Sequence, residues 1–132
     1  MSQLTDPIAD FLTRLRNSTR ASQAEMTVPY SKIKAEISRI LKQEGYIGDY
    51  LIESSGSFPV IKVVNKYISN FPAITGVKRE SRPGLRKYVC ASEIPCVLGG
   101  MGISIISTPN GVISGRDARK QNVGGEILAT IW

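Results

Sequence analysis

Apolar residues recur at Ile8, Phe11, Leu12 and Leu15, a spacing of i, i+3, i+4 and i+7 that lays one stripe along a helix. Asp6-Pro7 stands just before the stripe. An aspartate oxygen accepts from the free amides of a first turn, and proline loses nothing at the first helical position, so the helix is expected to begin there. Thr13, Arg16, Asn17 and Arg20 fall on the opposite face. A solvated surface and a cationic face toward phosphate both fit them. Met26-Thr27-Val28 reads as a short strand. A second helix opens at Pro29-Tyr30-Ser31-Lys32 with Ser31 as its cap, and Ile33, Ile37, Ile40 and Leu41 form its core stripe. Gly45 ends it, since the position past a helix C-terminus favours the left-handed region. Residues 46–52 and 60–64 read as strands joined through Ser54-Ser55-Gly56-Ser57. The first half therefore runs helix, strand, helix, strand, strand.

The pattern shifts near Ser69-Asn70-Phe71-Pro72, and a boundary is expected between residues 1–70 and 71–132. Beyond it, residues 74–79, 85–90, 103–107, 112–113 and 126–131 read as short strands, with one helical turn at 117–121. The expected class is α+β in two small domains, the second mostly β with a short helix. Neither half has many residues to bury, so packing between them is expected to matter.

Charge adds direction to this outline. Lys and Arg number 17 against 11 acidic residues, a net of +6, and 42% of the 132 residues are hydrophobic, enough for a real core. Residues 1–70 carry a net of +2 and residues 71–132 a net of +4. A field of that sign attracts polyanions, with nucleic acid first and an anionic membrane surface second, although a soluble protein can simply be basic. The segment from Lys78 to Tyr88 concentrates five cations (Lys78, Arg79, Arg82, Arg86, Lys87) around a Pro83-Gly84 turn, with Glu80 as its one acid. Tyr88 beside them either stacks on a base or packs in a sheet.

Several classes lose support. No His is present, which removes the usual general base and the commonest metal ligand. Gly99-Gly100-Met101-Gly102 lacks the spacing of a phosphate-cradling loop and reads as a tight turn before a strand. Cys90 and Cys96 form no CxxC pair and are expected to be small buried thiols in a reducing cytosol. The first seven residues hold neither a basic nor an apolar region, so no signal peptide is expected. No apolar run approaches the roughly 20 residues of a membrane span. Without secretion, the sequon Asn17-Ser18-Thr19 is coincidental.

The richest stretch is Gly102-Ile103-Ser104-Ile105-Ile106-Ser107-Thr108-Pro109-Asn110-Gly111-Val112-Ile113-Ser114-Gly115-Arg116-Asp117-Ala118-Arg119. A strand ends in two hydroxyls, a Pro-Asn-Gly turn follows, and a second strand returns. Ser107 and Thr108 are thus expected at an exposed tip, where hydroxyls can both donate and accept.

This stretch resembles the signature of the bacterial and plastid small-subunit ribosomal protein eight family. That signature has a glycine, two aliphatics before Ser-Thr, a second glycine with two more aliphatics, and then a small and a basic residue, here Ala118-Arg119. Asp6-Pro7-Ile8-Ala9-Asp10 through Asn17, Ser81-Arg82-Pro83-Gly84-Leu85-Arg86, and Gly124-Gly125-Glu126-Ile127 resemble the same family, in order over nearly the whole chain. The resemblance implies a structural constituent of the small subunit, not an enzyme. It would bind the central domain of small-subunit rRNA early and help organise the platform. It further implies small-subunit ribosomal proteins five and twelve as neighbours, a bacterial cytoplasmic or plastid-stromal ribosome, and no cofactor, metal, membrane or small-molecule substrate.

Carried onto matching positions, the implied rRNA contacts are Ser107, Thr108 and Gly111, Tyr88 with the hairpin cations Arg82, Arg86 and Lys87, the run Gly124, Gly125 and Glu126, and Ser31 with Lys32 in the first half. Glu126 either accepts from base amino groups or fixes the loop internally. Pro109 and Asn110 depart from the family, which usually has Ser and then Lys or Arg there. One hydroxyl and one cation are missing, so the local contact is expected to be weaker, or supplied by Arg116 or the Lys78–Lys87 segment. An enzyme, or a free RNA-binding regulator that represses its own messenger, are the competing classes.

Overall fold

The computed structural model describes residues 6–132. The chain forms two compact units, Phe11–Thr75 and Gly76–Trp132, and Asp6–Asp10 belong to the second. No described helix is long and apolar enough to cross a membrane.

The first unit follows its local signals. Helix α1 (Pro7–Arg20) starts where Asp6 Oδ1 accepts from the Ala9 amide at 3.2 Å. Its stripe of Ile8, Phe11, Leu12 and Leu15 is buried. Strand β1 (Glu25–Pro29) leads to α2 (Lys32–Gln43), whose N-cap Ser31 accepts from the Lys34 amide at 3.2 Å. Gly45 follows with φ +84°. Strands β2 (Ile47–Ser55) and β3 (Phe58–Asn65) form a hairpin, and a short hairpin of β4 (Tyr67–Ile68) and β5 (Phe71–Pro72) completes the unit. The sheet order is β1-β3-β2, all antiparallel. One stripe position differs from expectation: Ile33 is half-buried, and Lys34 is covered in its place. The Lys34 ammonium reaches back to the Pro29 carbonyl at 3.3 Å, which keeps a covered cation paired.

The second unit is a five-stranded antiparallel sheet. It contains β6 (Val77–Arg79), β7 (Tyr88–Val89), β8 (Ile103–Thr108), β9 (Gly111–Ser114) and β10 (Gly125–Ile131), with α3 (Gly115–Gln121) between the last two. The order is β6-β10-β8-β9, and β7 also pairs with β10. Helix α3 is longer than the single turn expected, because Ser114 Oγ caps it through the Asp117 amide at 3.2 Å and Asn122 ends it in the left-handed region. Ile94, Ile106, Ala118 and Ile127 form a buried cluster, with Val89, Ile113 and Val123 packed against it.

Three expectations need correction. The strands at 74–79 and 85–90 shrink to β6 and β7, which are two pieces of one edge. Residue 79 pairs with 129 and residue 88 with 126, on the same flank of β10, and β10 shifts register between Ile127 and Ala129. From residue 79 to residue 88 the edge advances nine positions while β10 advances only three, from 129 to 126, so residues 81–86 leave the sheet as an excursion. The thiols are not buried: Cys90 and Cys96 are exposed. They lie on a surface connection of two short 3-10 turns, Ala91–Glu93 and Val97–Gly100, that sends Ile94 inward instead.

Candidate nucleic-acid interface

The excursion at 81–86 is closed at its base by ladder-like bonds. The Glu80 amide donates to the Leu128 carbonyl at 3.1 Å, and the Ile127 amide donates to the Lys87 carbonyl at 3.0 Å. Its tip is the predicted Pro83-Gly84 turn, held by reciprocal Arg82 and Leu85 backbone bonds of 3.1 and 2.9 Å. Arg82, Arg86 and Lys87 are exposed around it.

Tyr88 follows directly, and its ring is 69% exposed, so it faces solvent and does not pack in the sheet. The register places Tyr88 opposite Glu126, Glu126 opposite Ser107, and Ser107 opposite Val112. Directly opposed residues of antiparallel strands present side chains on one face. Tyr88, Glu126, Ser107 and Val112 therefore form a single row across four strands, while Ile106 and Ile127 turn to the buried cluster on the other face.

Thr108 corrects the expectation of a hydroxyl at an exposed tip. It is 9% exposed, and its Oγ1 donates to the Gly111 carbonyl at 2.8 Å and accepts from the Asn110 amide at 3.1 Å. One residue on from Ser107, it points to the opposite face, where it builds the turn. Ser107 is half-buried, and the exposed tip is Pro109, Asn110 and Gly111. Gly111 takes φ +111° there, a conformation that side chains rarely adopt.

Gly124 and Gly125 serve close backbone approach. A Cβ on Gly125 would collide with the Ser107 carbonyl, and one on Gly124 with the Val89 carbonyl. Glycine here lets β10 enter the sheet flush against β7 and β8, which sets the row's register.

The acids of this region are committed to cations. Glu80 takes the ammoniums of Lys87 at 3.3 Å and Lys78 at 3.9 Å, and Glu126 takes the Arg86 guanidinium at 3.0 Å. Arg79 pairs with Asp6. Among the described residues, the Arg82 side chain has no such partner. Arg119 donates to the Ile94 and Pro95 carbonyls, both at 3.3 Å, and so braces the 3-10 connection, whereas Arg116 is exposed.

Ser31 and Lys32 belong to the other unit. The Ser31 hydroxyl is occupied as a helix cap, and Lys32 is exposed. One position that organises this region was missed by sequence reasoning: Ser81, fully buried, donates to Glu126 Oε2 at 2.5 Å and accepts from the Lys87 amide at 3.1 Å. It stood inside a quoted motif, but its partner lies 45 residues away, and nothing local announces that.

A solvent-facing ring can stack on a base, guanidinium and ammonium groups can meet phosphate, and a hydroxyl can address ribose or base edges. Comparison with known proteins gives the family. The family model described as ribosomal protein S8 matches residues 6–132. A protein named small ribosomal subunit protein uS8 from Solibacter usitatus is 53% identical over 97% of this chain and 98% of its own length. Proteins of that name from Koribacter versatilis and Lactobacillus delbrueckii subsp. bulgaricus are 52% identical over 100% of both chains and 50% identical over 98% of both. The row on β7, β10, β8 and β9 and the excursion beside it are thus features of a chain that belongs to the ribosomal protein S8 family.

Proposed function

We propose that this chain is a constituent of the small ribosomal subunit that binds the central domain of small-subunit rRNA directly, early in assembly, and helps organise the platform. The observation that carries the reading is Tyr88. A tyrosine 69% exposed beside Arg82, Arg86 and Lys87, and aligned with Ser107, sets a stacking ring among cations and a hydroxyl. A stacked base accounts for the ring, and the RNA backbone accounts for the cations. Ser107 and the exposed Asn110 side chain at the Pro109-Asn110-Gly111 tip address the RNA, with Ser31 and Lys32 as a second contact from the other unit. Small-subunit ribosomal proteins five and twelve are its protein neighbours on this reading, in the cytoplasmic ribosome of a bacterium.

Chemical footprinting of small-subunit rRNA with and without the protein tests this. Protection confined to the central domain is expected; protection elsewhere, or none, sinks the proposal. Pelleting of ribosomes should bring the protein down in a one-to-one ratio with small subunits, whereas an enzyme or a free regulator would stay in the supernatant.

A further inference from the structure

Glu126 carries a negative charge in the middle of a surface proposed to meet a polyanion, and its surroundings give it a task other than touching RNA. Its side chain is only 17% exposed, and Oε2 already accepts from both Ser81 and Arg86. Ser81 is fully buried and can touch no ligand. Its single hydroxyl donates to Glu126 and accepts from the Lys87 amide, while the Lys87 carbonyl accepts from the Ile127 amide. The peptide groups on both sides of residue 87 are therefore fixed just before Tyr88. The same carboxylate holds the Arg86 guanidinium and offsets its own charge.

We infer that Ser81 and Glu126 are positioning residues of the RNA interface: together they set the directions in which Arg86 and Tyr88 leave the sheet, and Glu126 reads no base. This rests on the function proposed above and assigns a different role to a residue that the family resemblance placed among the RNA contacts. Because the 81–86 excursion crosses from β6 to β7 at the β10 bulge, no continuous ladder holds it, and the Ser81 hydroxyl replaces the lost ladder bonds.

The test is a double-mutant cycle on affinity for the central-domain rRNA fragment, with Ser81→Ala, Glu126→Gln and the double variant, each checked for folding by circular dichroism. Ser81→Cys keeps the volume and weakens the hydrogen bonds, and it stands in if alanine underfills the site. Ser81→Ala is expected to bind about tenfold more weakly, since it loses one bond to a charged group and one to a backbone amide. The double variant should match the weaker single variant within about twofold, as for members of one network. The slope of log affinity against log salt should not change for Ser81→Ala, because no cation is removed. In the free protein, the Lys87 amide should exchange with solvent about tenfold faster. Independent, multiplying effects of the two substitutions would overturn the inference. So would a base change in the RNA that rescues Glu126→Gln alone, since that makes the carboxylate a direct reader. Wild-type protein that fails to bind the fragment sinks the proposed function itself, whereas normal wild-type binding with Ser81→Ala unaffected sinks only the positioning role.

Discussion

The guanidinium of Arg79 holds the carboxylate of Asp6 through Nε at 3.0 and 3.2 Å, although the two residues lie 73 positions apart. Arg79 Nη1 also donates to the Leu128 carbonyl at 2.6 Å, and Asp6 Oδ1 caps α1 through the Ala9 amide. One carboxylate thus starts a helix and fixes a side chain of the sheet's edge strand. The Arg79 side chain is 9% exposed, so the pair is largely withdrawn from water.

Removing Asp6 therefore costs more than a cap. Asp6→Ala is expected to destabilise the protein by about 2–4 kcal/mol, combining a lost N-cap with a covered guanidinium left unpaired. Urea denaturation measures it, and an unchanged midpoint would show that the pair contributes nothing.

Tyr88 should separate binding from folding. Its exposed ring contributes little to the core, so Tyr88→Ala should leave stability within about 0.5 kcal/mol. Affinity for the rRNA fragment should fall by about 1–3 kcal/mol if a base stacks on the ring. Filter binding with a parallel thermal melt distinguishes the two quantities, and unaltered affinity would place the interface on another face.

The turn after β8 should respond to substitutions in its scaffold. Thr108→Val removes the hydroxyl that bridges Asn110 and Gly111 and is expected to cost about 1 kcal/mol of stability. Gly111→Ala forces a side chain into a positive φ and should cost about 1–2 kcal/mol. Retention of wild-type melting in both would mean the tip is held by other contacts.

Arg82, which has no carboxylate partner among the described residues, should be the cleanest phosphate contact. Affinity should fall linearly on a double-logarithmic salt plot, and Arg82→Gln should reduce the slope by about one unit, uniformly across RNA sequences. A flat salt response in the wild type would remove the electrostatic part of the interface.

Glu93 provides a pH signature remote from the row. The Cys90 thiol, which donates to Oε1 at 2.7 Å, and then the Cys90 amide hold its carboxyl below the ordinary 4.5, against a smaller opposing effect of desolvation. A depressed value in the fold favours the native state above 4.5, and that contribution disappears as pH falls through the native value. Glu93 is open to solvent, so the readout is its carbon chemical shift, not stability. Cys90→Ala should move the titration midpoint up toward 4.5, and a midpoint indifferent to the thiol would rule out the hydrogen bond.

Whatever depends on neighbours within a few positions was legible in the chain itself. The starts of α1 and α2 follow from Asp6 and Ser31, their buried faces from apolar spacing, and the Pro83-Gly84 turn from its own dipeptide. The family motifs likewise named Ser107 and Glu126 of the row, and the basic segment pointed to Tyr88 beside it. What only the tertiary structure decided was set by pairing across long separations. Pairing with β10 makes one edge of β6 and β7 and leaves 81–86 outside the sheet, and the bounds of those strands are not written in any local pattern. Strand parity then turns Thr108 inward beside an outward Ser107. A surface connection exposes Cys90 and Cys96 while Ile94 takes the interior. A hydroxyl reads the same in a sequence whether it meets solvent or a carboxylate 45 residues away, and Ser81 acquires its partner only when β10 arrives beside the excursion.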